Sequence, residues 1–177
     1  MKVAITGHTR GIGAEIHQYF SALGYECIGF SRANGYNIDH DVDRQRIIQE
    51  SLDCDIFVNN ACNRLSDTQL HMLQEIYEVW KDTNKIIINM GSRAGDYVNS
   101  TGNQHQQYSV IKHNQDKFCE AKSDKVWLIN LRPGAIDTPF MKSFNFRKMD
   151  VSTVSTVLDF ILTNRDSFRI KTITFGL

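Results

Sequence analysis

Proline is nearly absent from this 177-residue chain: there are two, Pro133 and Pro139, and both fall in one seven-residue segment. Proline fixes φ and removes a backbone donor, so the rigid positions bracket a single loop, which is expected to wall a site. Long apolar runs are also missing. No stretch approaches the roughly 18 residues that a membrane span needs, and Val3-Ala4-Ile5 runs directly into a glycine-rich segment without the charged and apolar regions of an export signal. A cytoplasmic location is the expectation. There is no excess of either charge, with 20 Lys+Arg against 20 Asp+Glu, so no global field draws the chain to nucleic acid or to an anionic membrane. A small-molecule partner is expected instead. Paired cysteines are lacking too: Cys27, Cys54, Cys62 and Cys119 form no C-x-x-C and have no histidines at ligand spacing. Neither a metal site nor a disulfide framework is expected.

What is present is alternation. Short apolar runs, Val3 to Thr6, Glu26 to Ser31, Asp55 to Asn59, Lys85 to Met90, Lys125 to Leu131 and Lys171 to Phe175, alternate with segments of helical period. A short piece at Tyr36 to Ile38 is expected to add a seventh strand. Ile12, Ile16, Tyr19, Phe20 and Leu23 trace one helical stripe that Gly24 can end. Leu70, Leu73, Ile76, Tyr77 and Trp80 trace another, with Ser66 and Gln69 at capping-box spacing. Val154, Val157, Leu158, Ile161 and Leu162 trace a third, with Ser152 or Thr153 as its cap. At this length, one domain spanning 1–177 is expected, built on a parallel sheet with crossover helices.

The first strand leads into Thr6-Gly7-His8-Thr9-Arg10-Gly11-Ile12-Gly13 and then a helix. In that context backbone N–H groups and a helix N-terminus receive a pyrophosphate, and glycine is needed where a side chain would block the turn. The T-G-x-x-x-G-x-G spacing resembles that of the short-chain dehydrogenase/reductase family. Further segments match that family in order. Asn59-Asn60-Ala61-Cys62 is similar to its N-N-A-G turn, with cysteine in place of glycine, and Ser92 follows strand Ile86 to Asn89. Tyr108-Ser109-Val110-Ile111-Lys112 reads as Y-x-x-x-K, and Arg132-Pro133-Gly134-Ala135-Ile136-Asp137-Thr138 resembles the family's P-G segment with its threonine. The implied fold is α/β, a Rossmann-type doubly wound parallel sheet of six or seven strands with helices on both faces.

Lys112 stands four positions after Tyr108, so both project from one face of a helix. A phenol ordinarily ionises near pKa 10, and a cation beside it favours the phenolate, which suits general acid–base work near neutrality. The resemblance implies hydride transfer between a nicotinamide and a small carbonyl or alcohol substrate, with Tyr108 as proton donor. It further implies that Ser92 hydrogen-bonds the carbonyl and Lys112 holds the nicotinamide ribose. Asn63 is a candidate to complete a tetrad, with a plain turn role as its alternative.

The cofactor is expected to contact Gly7, Thr9, Arg10, Gly11, Ile12, Gly13, Ser31, Arg32, Asp39, Asn60, Ala61, Tyr108, Lys112, Pro133, Gly134, Ile136 and Thr138. Position 31, 20 residues after Gly11, is serine rather than the acid that bonds a ribose 2′-OH, and Arg10 and Arg32 stand ready for a 2′-phosphate. NADP(H) is therefore expected over NAD(H), with Asp39 toward the adenine. Only Pro139 to Asp150 precede the last helical stripe, so the substrate lid is short. Phe140, Met141, Phe144 and Phe146 either line an apolar mouth or pack onto the core, and Tyr97 with the 99–107 stretch is a candidate to take over part of the lid. Resemblance also implies self-association as a homodimer or homotetramer. The competing function is a dinucleotide-binding sensor or scaffold with little turnover. A sugar-nucleotide epimerase is disfavoured by the glycine spacing.

Overall fold

Apolar residues that alternate between two buried faces need cover on both sides, and the chain supplies it with helices. The computed structural model describes residues 1–100, 105–122 and 125–177. Its strands are β1 (Lys2–Thr6), β2 (Glu26–Phe30), β3 (Ile56–Asn59), β4 (Ile86–Met90), β5 (Trp127–Pro133) and β6 (Thr172–Phe175), hydrogen-bonded in the order β2-β1-β3-β4-β5-β6 and all parallel. Helices α1 (Gly11–Ala22), α2 (Asp41–Glu50), α3 (Thr68–Trp80), α4 (Gln106–Ala121) and α5 (Thr153–Thr163) connect them. Val3, Ile5, Val58 and Ile88 meet Ile16 and Phe20 of α1 and Leu158 and Ile161 of α5 in one buried cluster. Ala4, Phe57 and Ile87, one residue out of step, meet Ile47 of α2 and Leu73, Ile76 and Trp80 of α3 in another. This is the period-two alternation of a strand. Burial in the second layer pushes the thiols of Cys54 and Cys119 up to about 11 and about 12, so both stay protonated as small apolar groups.

The order reverses beside β1, with β2 on one side of it and β3 on the other. Ligands of open α/β sheets bind at such a switch, outside the carboxyl ends of the strands.

Most expected elements form. Gly24, at φ +77°, ends α1 as anticipated. There is, however, no strand at Tyr36 to Ile38. A 3-10 turn at Arg32–Asn34 and Gly35 at φ +87° steer the chain directly toward α2, so the sheet has six strands and β2 is an edge. Helix α2 itself leaves little apolar signature, burying Ile47, Ile48 and Arg44, whose guanidinium is held by Glu75, Asp41 and the Ile38 carbonyl. The expected capping box at α3 does not form: its N-cap is Asp67, and Gln69 is buried instead. Ser152 is the N-cap of α5, but its side chain accepts no helix N–H; its own N–H and hydroxyl go to Asp150.

Where β3, β4 and β5 approach the site, the apolar layer facing α3 and α4 gives way to amides. Asn59, Asn89 and Asn130 stand in register and are 0%, 0% and 1% exposed. Asn59 Nδ2 donates to Asn89 Oδ1 at 2.9 Å, and Asn89 Nδ2 to Asn130 Oδ1 at 2.9 Å. Asn130 Nδ2 donates to Asp116 Oδ1 at 2.7 Å. Buried polar groups cost about 1–3 kcal/mol each when left unpaired. Asn89→Ala should therefore lower the free energy of urea unfolding by about 1–3 kcal/mol at unchanged m-value; a loss below a few tenths would remove this role for the ladder.

Candidate active site

A cleft of about 1200 Å³ crosses the carboxyl ends of the strands from β2 to β5, and every site residue expected from the sequence lines it. Pro133 and Pro139 line it as well, so the loop they bracket is a wall of the site.

At its centre the glycine loop is braced by the turn after β3. Thr6 Oγ1 donates to the Val58 carbonyl at 3.2 Å and accepts the N–H groups of Asn60 at 2.9 Å and Ala61 at 3.0 Å. Asn60 Nδ2 returns a bond to the Thr6 carbonyl at 2.9 Å. Gly7 and Gly11 sit at φ +72° and +54°, a region that side chains disfavour. A Cβ on Gly13 would overlap the Gly7 carbonyl and the Asn60 amide. Helix α1 then begins with no side chain capping its free N–H groups. Uncapped amides, left-handed glycines and a close backbone approach fit the pyrophosphate of a dinucleotide.

His8 supports this loop from behind. Its ring fills the space that a side chain at Gly29 would take, its Nδ1 is buried without a partner, and burial lowers its pKa. At the β2 end, Ser31 folds onto Asn34, whose Oδ1 takes the Ser31 N–H at 2.7 Å and hydroxyl at 3.0 Å. Arg10 and Arg32 are exposed at the cleft. Asp39 is also a brace within the protein, because its carboxylate accepts Thr68 Oγ1 at 2.8 Å, Asn63 Nδ2 at 3.2 Å and Ser66 Oγ at 3.4 Å. It thereby pins the loop that leads into α3.

Around Ser92 and Tyr108 the structure is more particular. Ser92 lies two residues beyond β4, as the N-cap of the 3-10 turn Arg93–Tyr97, and its Oγ accepts the Ala94 N–H at 3.1 Å. Tyr108 and Lys112 share a face of α4, with the ammonium 5.6 Å from the phenol ring centroid. Lys112 is only 2% exposed, and its Nζ donates to Gln69 Oε1 at 2.6 Å, the Met90 carbonyl at 2.8 Å and Gln115 Oε1 at 3.2 Å. Asn63 does not take part. Its amide faces Asp39 and its Oδ1 accepts the Leu65 N–H, so the turn role describes it. The buried amides beside Lys112 are Gln69 and Gln115, which the motif spacing does not single out; the S-x-x-Q pattern at Ser66 and Gln69 points to a local cap.

The mouth is aromatic. Phe140, Met141, Phe144 and Phe146 line the cleft, with Phe140 5.9 Å from Tyr108. Of the two readings left open for them, the mouth is the one that forms. Arg64 and Arg93, also unforeseen, line it too. Of the 99–107 stretch, residues 101–104 lie outside the described residues.

No family model matches the sequence, and no curated protein matches it. Solved structures match its fold over nearly its whole length. A 3-alpha-hydroxysteroid dehydrogenase from Pseudomonas sp. B-0831 complexed with NADH superposes with a TM-score of 0.80 at 17% identity, covering 100% of this chain and 95% of its own. A serine dehydrogenase complexed with NADP+ gives 0.76 at 18%, covering 99% and 94%. An alcohol dehydrogenase from the archaeon Thermococcus sibiricus complexed with 5-hydroxy-NADP gives 0.77 at 16%, covering 98% and 95%. The fold is that of the short-chain dehydrogenase/reductase structures.

His8 gives this site a pH dependence. Its folded pKa lies below the ordinary 6.5, so below that pH the unfolded chain binds more protons than the native one and stability falls as pH is lowered. Denaturation of the wild type between pH 7.5 and 5.5 should show this slope, and His8→Gln should flatten it; an identical slope in the variant would exclude His8 as its source.

Proposed function

We propose that this chain is a member of the short-chain dehydrogenase/reductase family and an NADP-dependent carbonyl reductase or alcohol dehydrogenase, with one domain over 1–177 carrying both cofactor-binding and catalytic residues. The observation that carries the reading is the convergence of Ser92, Tyr108 and the uncapped start of α1 on one cleft. Bound there, the reduced nicotinamide supplies the hydride that a carbonyl carbon accepts.

The chain's own groups handle the oxygen and the proton. Because Ser92 Oγ already accepts the Ala94 N–H, its O–H is left to donate to the substrate carbonyl. Tyr108 then delivers its phenolic proton to that oxygen as negative charge develops there. Lys112 has three N–H donors and three acceptors around them. It acts on the phenol as a fixed charge through space, and it would hold a ribose hydroxyl only in exchange for one of those internal acceptors. The same geometry is what favours the second reading, a dinucleotide sensor in which Lys112 keeps its internal partners and turnover is slight.

Replacement of the proton donor separates the two. Tyr108→Phe should leave dinucleotide affinity within about twofold and lower kcat for any carbonyl the wild type reduces by a factor of order 10²–10⁴. A wild type that binds the dinucleotide tightly yet turns over no carbonyl or alcohol supports the sensor.

Cofactor choice rests on Ser31, Arg32 and Arg10. Each guanidinium can give a phosphate charge-assisted bonds worth about 1.5–3 kcal/mol. Fluorescence titration should show NADPH binding at least about tenfold tighter than NADH, a difference of about 1.4 kcal/mol, and Ser31→Asp and Arg32→Ala should each erode that ratio. Equal affinities in the wild type would remove the NADP preference.

A further inference from the structure

The chain is neutral overall, yet the side chains lining its cleft include five cations, Arg10, Arg32, Arg64, Arg93 and Lys112, and one carboxylate, Asp39. The carboxylate is engaged by Thr68, Asn63 and Ser66. Lys112 is saturated by neutral acceptors. Arg10 and Arg32 stand at the β2 side, where the proposed function uses them. Two guanidiniums remain, and that function gives them no role.

Arg64 leaves the loop after β3 and crosses to the lid. It donates through Nη2 to the Phe140 carbonyl, and its guanidinium lies 3.6 Å from the Phe140 ring centroid and 5.8 Å from that of Phe144. The Phe140 ring is in turn 5.9 Å from Tyr108. A guanidinium has five N–H donors, and a single carbonyl takes one of them. Arg93 follows Ser92 directly and lies along the backbone of Gly134 and Gly176. Among the described residues neither arginine has a carboxylate side chain within ion-pair distance. Guanidiniums without an anionic partner, Arg64 against apolar rings and Arg93 against glycine backbone, are well matched to a carboxylate, which they bind as a planar fork.

We propose that the substrate is an organic anion, an oxo acid or hydroxy acid with an apolar or aromatic body. Its carboxylate is bound by Arg64 and Arg93, and its body lies among Phe140, Phe144 and Phe146. The reacting carbonyl then lies between the carboxylate and the body, within reach of Ser92 and Tyr108. In this arrangement the Phe140 carbonyl holds Arg64 in place until the carboxylate arrives. The assignment of the reacting group rests on the proposed reductase function; the anion site does not.

The test pairs acids with their neutral counterparts, phenylglyoxylate and 4-oxo-4-phenylbutanoate each against its methyl ester. Calorimetric titration of the full chain, with and without NADPH, and steady-state reduction are both measured. For at least one pair the acid should bind, and be reduced with a kcat/KM, at least about tenfold better than the ester, and 0.5 M salt should narrow the gap. Arg64→Met and Arg93→Met, which keep an unbranched apolar stem, should each lower the acid-to-ester ratio about tenfold. A role for Arg64 limited to fastening the lid lowers acid and ester alike; an unmoved ratio in both variants therefore overturns the proposal. So does failure of both acids to bind, or esters that bind as well as the acids. Acids that bind selectively but are not reduced uphold the anion site while counting against the reductase reading.

Discussion

One carboxamide fastens the helices of this site to its sheet. Gln69, fully buried at the start of α3, donates to the carbonyls ending β3 and β4, Asn59 at 2.8 Å and Met90 at 3.1 Å. Its Oε1 accepts Lys112 at 2.6 Å and Gln115 at 3.1 Å, both from α4. An amide offers two donors and two acceptor sites, and all four are used. The register of α4 against β4, and with it the placement of Tyr108 relative to Ser92, follows from this saturation. Losing the amide would leave a lysine ammonium buried and short of a partner, which is far more costly than losing an exposed bond.

The asparagine ladder carries the same constraint across the sheet. From Asn130 it passes to Asp116, whose carboxyl pKa is pushed upward by burial, and whose other oxygen meets Arg132 Nε at 3.0 Å. Arg132 also bonds Asp96, in the 3-10 turn that follows Ser92. Gly95 of that turn allows the close approach, since a Cβ there would come within 2.6 Å of Asp116 Oδ2. The segment beside Ser92 is thus held from beneath by a polar chain, so the groups facing the cleft are positioned before any ligand arrives.

The strands, the glycine loop and the residues of each motif are legible in the sequence because they answer to local rules: apolar runs for strands covered on both faces, and glycines where the backbone turns back on itself. Helix α2 is not, since a polar stretch with two buried isoleucines carries little periodicity. The expected seventh strand fails because Tyr36 and Ile38 look strand-like, whereas Gly35 and the 3-10 turn before it decide the path. Gln69 illustrates a deeper limit. Three residues after Ser66 it has the spacing of a cap, and only the packing of α4 over β4 reveals that its amide is needed elsewhere. Asn63 suits catalysis by its distance along the chain, but Asp39, brought across by the missing strand, claims its side chain. Arg64 and Arg93 belong to no motif, and their shared cleft emerges only from the fold.

The His8 ring occupying the space beside Gly29 ties two chain segments into one unit of design. Residue 8 lies within the glycine loop and residue 29 two positions before Ser31, with Gly7 N–H bonded to the Phe30 carbonyl at 2.7 Å between them. Neither can be varied freely without a matching change in the other: a side chain at 29 evicts the ring, and a smaller residue at 8 leaves a void under the loop. The coupling of distant segments therefore has a natural boundary at Phe30. Past Phe30 the pairing is local, since Ser31 answers to Asn34 three residues on, whereas residue 29 answers to residue 8 in the glycine loop.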